Sequence, residues 1–485
     1  MLVSRRMRCV HAAASFPRCF RAIHKTVEKR PLTASQQHGH REYAFHTPAG
    51  SRSRTLELMA SSTPSLAESI RNIPLLLEDL FLPRDHTTST SPDYLPYVRY
   101  QFIASVAGST CGVLSMQSLL FAIGLQSGAI PMAAALNWVI KDGLGQFGGV
   151  LFASLVNHRF DADPKRWRMV SAFAMDAATL VEILTPLCPA YFLPMAATAN
   201  VAKNISWLSS SATRAGFHYS FAQKENLADI TAKAGSQSIA SSIVGTALGI
   251  AISPIVGSAT ANVAAAFGVL SAIHLVSIYK SLSIVALHTL NQQRLHLVID
   301  HYWQGHDRST THLANENPIL SPSEVSANEA FVLRFQSGYP SRFQRTSVAL
   351  SSRLDKLRLE TLDTFANERY LLQVDDDVAS RRGARVVHLL LHADATSVDV
   401  LKGHLHLVRL RMLLEDGHLS PAAAMEQSRH DVHRAVQSTH VRTSVADHFI
   451  NHMLDSDWHC DHLLVEETVA RYRIHAADTN ARQPE

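Results

Sequence analysis

Three short stretches carry side chains able to do chemistry in surroundings that are otherwise apolar. Lys141 and Asp142 stand together inside NWVIKDGLGQFGGV, where a charge is costly unless paired or wet. Wound at 3.6 residues per turn, Asn200, Lys203, Asn204, Trp207, Ser211 and Arg214 fall within about 100° of one another. Asn226, Asp229, Lys233 and Gln237 follow at i, i+3, i+7 and i+11, a narrower stripe. Either these are solvated helix faces, or they line a polar cleft in which Lys203, Arg214 and Lys233 attract an anionic or phosphorylated ligand. In the second case Lys141, Lys203 or Lys233 would supply an amine and Arg214 an anion anchor. No nucleophile and base pair at short spacing supports catalysis, so a non-enzymatic role is favoured over an enzyme or cofactor-binding protein.

Gly143, Gly145 and Gly148 spell G-x-G-x-x-G. A dinucleotide loop needs a strand before the first glycine and a helix after it. Here the preceding PMAAALNWVIKD favours a helix, and Gly145 with Gly149 forms a G-x-x-x-G packing groove. The spacing therefore predicts glycines on a helix, and no cofactor is identified. His388, His392, His404 and His406 invite a metal reading, but no carboxylate or Cys falls at a ligand spacing beside them, and none is predicted. The five cysteines form no C-x-x-C pair, which leaves a disulfide framework and structural zinc unsupported.

The elements that must position these residues follow from charge and hydropathy. A chain of 485 residues with 46% hydrophobic content is long enough for two or three domains. The first 55 residues carry 11 Lys/Arg against Glu28 and Glu42, so a net charge of +4 leaves the body at about −5. An acidic body argues against nucleic acid as a partner. The Arg-rich, acid-poor start resembles a transit peptide for a mitochondrion or plastid, the alternative being a disordered basic tail. Ser65 and Glu68 form a capping box opening a helix through Leu75 to Leu80, with Pro74 bending or restarting it. From Phe102 to Leu125 no side chain is charged, which suits either a poor lipid-facing span or a buried helix.

Between Lys233 and Lys280 lie 46 consecutive residues without Asp, Glu, Lys or Arg. Pro254 divides this run and predicts two helices meeting at Ser253-Pro254. The second, 255–279, matches bilayer thickness, carries a small-residue stripe at Gly257, Ala261, Ala265 and Gly268, and places His274 near one end. A hydrophobic hairpin buried in an all-α core is the alternative; the length of the run favours the membrane.

Beyond Trp303 the composition turns polar. Ser321, Pro322 and Glu324 predict a capped helix start, followed by strands at 368–374 and 384–393 and a helix over 398–415. The fold is thus mainly α: an apolar helical, membrane-associated domain followed by a small α+β domain. Its plan is a transit-peptide-like disordered segment over 1–60 and a helical domain over 61–302 with a candidate transmembrane helix at 255–279. A linker over 303–320, an α+β domain over 321–455 and a fraying polar tail over 456–485 complete it.

Read together, DYLPY at 93–97, NWVIKDGLGQFGGVLFA, FDADPKRWR at 160–168, Glu182-Ile183-Leu184-Thr185-Pro186, ATRA at 212–215, NLADITAKAGSQ at 226–237 and TLNQQR at 289–294 resemble the root UVB sensitive family across roughly 70–410. Ser210-Ser211 before ATRA and Ala234 depart from its pattern. The resemblance implies an organellar membrane setting, with another family member or an organellar membrane protein as partner, and assigns no reaction. Lys141, Asp142, Lys203, Arg214, Asn226, Asp229, Lys233 and Gln237 are the candidate ligand- or partner-binding residues. Within FDADPKRWR, Asp161, Asp163, Lys165, Arg166 and Arg168 form a mixed-charge loop, read as a membrane-surface or interhelical salt-bridge clamp or as a solvated loop.

Overall fold

A computed structural model describes residues 34–38, 41–46, 55–61, 73–124, 132–156, 159–308, 318–332, 343, 346–350, 358–376, 385–437, 442–465 and 471–473. The chain divides into Met1–Asp79 and Leu80–Glu485. In the first unit β1 (Ala34–His38), β2 (Arg41–His46) and β3 (Thr55–Ser61) form an antiparallel sheet in that order, with Tyr43 and Phe45 across from Leu58 and Leu56. Their alternating pattern gives strands where composition alone suggested a disordered leader. The Arg-rich residues 1–33 and the Ser65–Glu68 cap lie outside the described residues. Helix α1 (Ile73–Phe81) instead begins with Pro74 in its first turn, where a missing N–H is harmless.

The second unit opens with a helical bundle: α2 (Tyr94–Ala122), α3 (Met132–Val156), α4 (Pro164–Leu184), α5 (Phe192–Phe221), α6 (Leu227–Val256) and α7 (Thr260–Ile284). Its principal packings are α4 on α5, α2 on both α6 and α7, and α3 on α5. Gly143, Gly145 and Gly148 sit inside α3 with no strand before them, so their amides are committed to the helix and no phosphate-binding turn exists there.

The charge-free run forms two helices, as its length demands, but not with the expected joint. Helix α6 continues through Pro254 to Val256; the proline removes only the one bond that its N–H would have given the Ile250 carbonyl. The break falls at Gly257, whose φ of 72° is open to glycine at little steric cost. The second helix is consequently 260–284 rather than 255–279, and His274 lies well inside it instead of near an end.

Among the described residues four segments are long and apolar enough to cross a membrane: Tyr94–Ala122, Pro164–Leu187, Leu227–Val256 and Thr260–Ile284. Only 17% of the apolar window of α6 and 28% of that of α7 are buried within the protein. Large aliphatics such as Ile243 (65% exposed) and Val269 (64%) point outward, an arrangement that water disfavours and hydrocarbon accepts. Close approach inside is set by glycine. A Cβ on Gly245 would stand 2.5 Å from the Val106 carbonyl oxygen, and one on Gly249 2.7 Å from Val113 Cβ. On α3, Gly145 and Gly149 likewise face Asn200 and Asn204 of α5. Ala261, Ala265 and Gly268, by contrast, are exposed on the outer side of α7.

The C-terminal domain mixes short sheets and helices. A sheet of order β5-β7-β6 pairs β5 (Thr346–Leu350) parallel and β6 (Tyr370–Asp376) antiparallel to β7 (Arg385–Leu391). After β4 (Thr289–Asn291), α8 (Gln292–Arg308) packs against α10 (Ser397–Asp416), with α9 (Pro322–Asn328), α11 (Pro421–His433) and α12 (Val445–Leu454) around them. The Ser321–Glu324 capping box forms as the spacing predicts, and Thr396 with Asp399 makes a second at the start of α10. Two boundaries differ from the compositional plan. Trp303, fully buried, brings α8 into this core, and Trp458, Cys460, Val465 and Tyr472 join it from the stretch read as a polar tail. There, residues of β8 (His459–Leu464) pair parallel with β4.

The glycine contacts give a direct test. Gly245→Val should destabilise the detergent-solubilised protein by about 1–3 kcal/mol or more through overpacking against α2. Gly268→Ala, with nothing within 4 Å of its Cβ position, should shift stability by no more than about 0.5–1 kcal/mol and upward, since alanine is the better helix former. Equal thermal-unfolding midpoints for the two variants would contradict the packing described.

Candidate functional site

Beside its hydrophobic clusters the bundle encloses charged and polar side chains. On α4, Asp176 and Glu182 are both buried. Asp176 accepts from Ser271 Oγ at 2.6 Å and pairs through Oδ1 with His274 Nδ1 at 2.8 Å, both on α7. Glu182 accepts from Ser115 of α2 and pairs with Lys203 of α5, and Lys203 Nζ lies 3.5 Å from Ser115 Oγ. Buried Cys111 of α2 stands within electrostatic reach of both Asp176 and Lys203, so the two clusters are neighbours. A charge without its partner in such surroundings would cost several kcal/mol.

A third group lies between α3 and α5. Lys141 Nζ contacts Asp142 Oδ1 at 2.6 Å, and Asn200 Nδ2 donates to the Lys141 carbonyl at 3.0 Å and to Asp142 Oδ1 at 3.3 Å. The glycine groove makes this possible, because only a residue without a side chain leaves room for the Asn200 and Asn204 amides against α3.

A small cleft of about 50 Å³ opens between α2, α5 and α6, lined by Tyr97, Gln101, Ser105, Arg214, His218 and Gln237 among others. Gln237 Nε2 also donates to the Phe81 carbonyl at 2.6 Å. Two turns earlier on α6, Asp229 Oδ2 accepts from the Arg84 amide at 2.9 Å. The α6 stripe thus serves partly to hold the segment that precedes α2.

The eight residues singled out by sequence therefore do not converge on one site. Arg214 and Gln237 share the cleft, Lys141 and Asp142 form a pair elsewhere, and Lys203 is held by Glu182. Asn226 is the N-cap residue of α6 without a capping hydrogen bond from its side chain, and Lys233 is absent from the cleft lining. Sequence reasoning missed the acids. Asp176 and Glu182 were discoverable as isolated charges in an apolar helix, but their partners lie on other helices, beyond the reach of local spacing.

The histidines of the C-terminal domain are spread apart. Positions 404 and 406 point to nearly opposite faces of α10. His404 Nδ1 bonds to the Val400 carbonyl at 2.9 Å, and fully buried His406 contacts Tyr370 Oη at 3.2 Å and Ser428 Oγ at 3.0 Å. Burial pushes the His406 imidazole down to about 3, which makes it a neutral hydrogen-bonding core residue near pH 7.

The bundle and the C-terminal domain meet at a buried ion cluster built from two of the sequence motifs. FDADPKRWR forms a single helical turn and the start of α4, not a solvated loop. From it Lys165, fully buried, reaches Glu329 Oε2 at 2.8 Å and donates to Ser326 Oγ at 2.8 Å. From TLNQQR, Arg294 Nε donates to Glu329 Oε1 at 3.0 Å, and Asn291 Nδ2 donates to the Ala162 carbonyl at 2.9 Å. Burial alone would raise the Glu329 carboxyl, but Arg294 and Lys165 overcome it and bring it down to about 2. The interhelical clamp is thus the reading of FDADPKRWR that the structure realises.

Together these features define a class: a bundle with aliphatic side chains on its exterior and paired charges in its interior, joined to an α+β domain through a buried ion cluster. Comparison with known sequences gives that class its family. Residues 67–306 match the family described as “Vitamin B6 photo-protection and homoeostasis domain”, and residues 318–469 match “Root UVB sensitive protein, C-terminal”. The chain belongs to the root UVB sensitive family. It is 28% identical over 378 residues to Protein root UVB sensitive 3 of Arabidopsis thaliana, covering 75% of this chain and 82% of the relative. To Protein root UVB sensitive 2, chloroplastic, of the same plant it is 28% identical over 345 residues, 70% of this chain and 75% of the relative. RUS family member 1 of Dictyostelium discoideum is 30% identical over 258 residues, 52% of this chain and 47% of the relative. No solved structure matches the chain.

The ion cluster predicts a pH signature. Because the folded Glu329 carboxyl lies near 2 against an ordinary 4.5, its stabilisation is present above about pH 4.5 and is lost as pH falls toward 2. Glu329→Gln strands two buried cations, and it should cost about 3–5 kcal/mol at neutral pH. The variant should also lose less additional stability than the wild type on acidification across that window. Unfolding midpoints measured at stepped pH check both effects; an unchanged midpoint at pH 7 would show that the cluster does not hold the domains together.

Proposed function

We propose that the protein is a non-enzymatic integral membrane protein of an organelle whose bundle supports the passage of an ion or small polar solute. The observation that carries this reading is the pair of charged clusters, Asp176–His274 and Glu182–Lys203, buried between helices whose outer faces are apolar. Charges at such depth are expensive for a merely structural helix bundle and are the usual marks of an ion or solute path. The basic first 55 residues support delivery to a mitochondrion or plastid, and the chloroplastic label of one 28%-identical relative favours the plastid. The exposed stripe of Ala261, Ala265 and Gly268 supports a helical membrane partner, another family member being the natural candidate. An anion-binding role for the cleft is the second reading, favoured by the location of Arg214 and Gln237 on its walls.

Two measurements test the main reading. The mature chain should remain in the pellet after alkaline carbonate extraction of organellar membranes, and release into the supernatant would exclude membrane spans. Ser271→Cys and Ser115→Cys, each in a chain whose native cysteines are replaced by alanine, should react with a membrane-impermeant thiol reagent in intact vesicles. Ile243→Cys, on the exposed apolar face of α6, should not. If neither interior position is labelled, the buried pairs are static locks and the transport reading fails.

For targeting, residues 1–55 fused to a soluble reporter should carry it into an organelle; a reporter that stays in the cytosol would return this segment to the status of a basic tail.

A further inference from the structure

Outside the four histidines read from the sequence, two others of the C-terminal domain stand together. His448 and His452 are one turn apart on α12, at i and i+4 on one face, and both are partly exposed. Their Nε2 atoms lie 3.2 Å from each other. Tyr302, buried on α8, settles the tautomer of His448. Its hydroxyl lies 3.1 Å from the Val445 carbonyl oxygen and 3.1 Å from His448 Nδ1. A phenol has one proton to give, and the carbonyl only accepts. His448 Nδ1 is therefore the donor to the Tyr302 oxygen, and the neutral ring carries its lone pair on Nε2, against His452. The Tyr302 ring is itself fixed, packed edge-on to Phe449 with centroids 5.0 Å apart and to Trp303 at 5.9 Å.

A histidine whose Nδ1–H is held by an oxygen while Nε2 stays bare is in the usual state of a metal ligand, with its orienting partner already in place. The separation of the two rings fits an ion between them. Two nitrogens each about 2.0–2.1 Å from a zinc ion in tetrahedral array stand roughly 3.3 Å apart. Ligands at right angles, as around a square-planar or octahedral ion, would stand about 2.9 Å apart. The observed 3.2 Å is closer to the tetrahedral value. His452 meets an ion on the same terms, because its ring has no polar partner except His448 among the described residues, and moving its proton to Nδ1 frees Nε2. Among the described residues no third His, Cys, Asp or Glu joins the pair. The protein thus supplies two ligands and leaves two tetrahedral positions to water or an exchangeable ligand, the open rather than the closed kind of zinc site.

We propose that His448 and His452 bind one zinc ion, with Tyr302 as the residue that positions His448. The site is independent of the transport reading and of the cleft beside Arg214, since it lies on α12 of the C-terminal domain and uses no side chain of the bundle. The motif that carries it is short, His-x-x-x-His within DHFINHML at 447–454, and by itself it is any pair on a helix face. What distinguishes it is the contact with Tyr302, 146 residues earlier in the chain.

The test uses the purified, tag-free full chain in a neutral detergent, stripped of metal with a chelator and titrated with Zn²⁺ by calorimetry. The wild type should show a saturable site that His452→Gln removes and that Tyr302→Phe weakens about ten- to hundred-fold, the usual loss when an orienting partner is deleted. A merely structural Tyr302 would lower the unfolding midpoint and leave the zinc affinity as it was, and that result would overturn its assigned role. His418→Gln, at an exposed histidine with no histidine one turn away, should leave the titration unchanged. Coincident titrations of the wild type and His452→Gln, or equal losses in His452→Gln and His418→Gln, overturn the site. A second measurement needs no variant. Zn²⁺ should protect His448 and His452, but not His418, from acylation by diethyl pyrocarbonate, read by peptide mass spectrometry. Equal modification of the pair with and without Zn²⁺ overturns the proposal even where a variant misfolds.

Discussion

The carboxylate of Glu329 is the point on which the two halves of the larger unit turn. One oxygen takes Lys165 from the start of α4 and the other takes Arg294 from the start of α8. All three side chains are essentially sealed from solvent, so none can relax into water if the others shift. The position of Lys165 in turn fixes the phase of α4. Asp176 and Glu182 follow from it by the helical repeat alone, and they meet His274 and Lys203 only if α4 starts where this cluster holds it. A surface pair would tolerate slippage of a turn; a fully buried one does not.

Most of the architecture was legible because it was written in local signals. The absence of charge from Ala234 to Tyr279, the Ser321–Glu324 cap and the short apolar runs around Leu371 and Val387 each report on a single element. What sequence could not supply was pairing between elements. Lys203 was visible as a charge on a helix face, yet its partner Glu182 sits on another helix, quoted only as part of a motif. The same limit explains Pro254: a proline reads as a break, yet here the helix runs on through it, giving up one hydrogen bond to the preceding turn. Gly257, three residues on, ends the helix instead, with a backbone angle that other residues rarely adopt.

The bundle encloses charged side chains beside its hydrophobic clusters and leaves large aliphatics outside. Aliphatic side chains of α6 and α7 cover the outside, while Asp176, Glu182, Lys203 and His274 are enclosed. In the C-terminal domain the order is the familiar one, with Leu401, Leu405 and Trp303 inside and charged residues such as Lys402 and Asp447 paired nearer the surface. One chain thus carries two different exteriors, apolar on α6 and α7 and charged on the C-terminal domain. The cluster around Glu329 lies at their junction, where neither an all-apolar nor an all-polar interface would suit both sides.

The parallel pairing of β4 with β8 sets an order on assembly. Thr289 lies immediately beyond the bundle, and its partner His459 comes some 170 residues later. As synthesis proceeds from the amino terminus, the helices leave the ribosome long before the strand that completes the second core. Until then the apolar surface prepared for Trp458 and Val465 stands open to whatever else is near. The nascent chain therefore passes through a stage in which its first half is complete and its second half is a template waiting for an edge, a stage at which chaperones have something to hold.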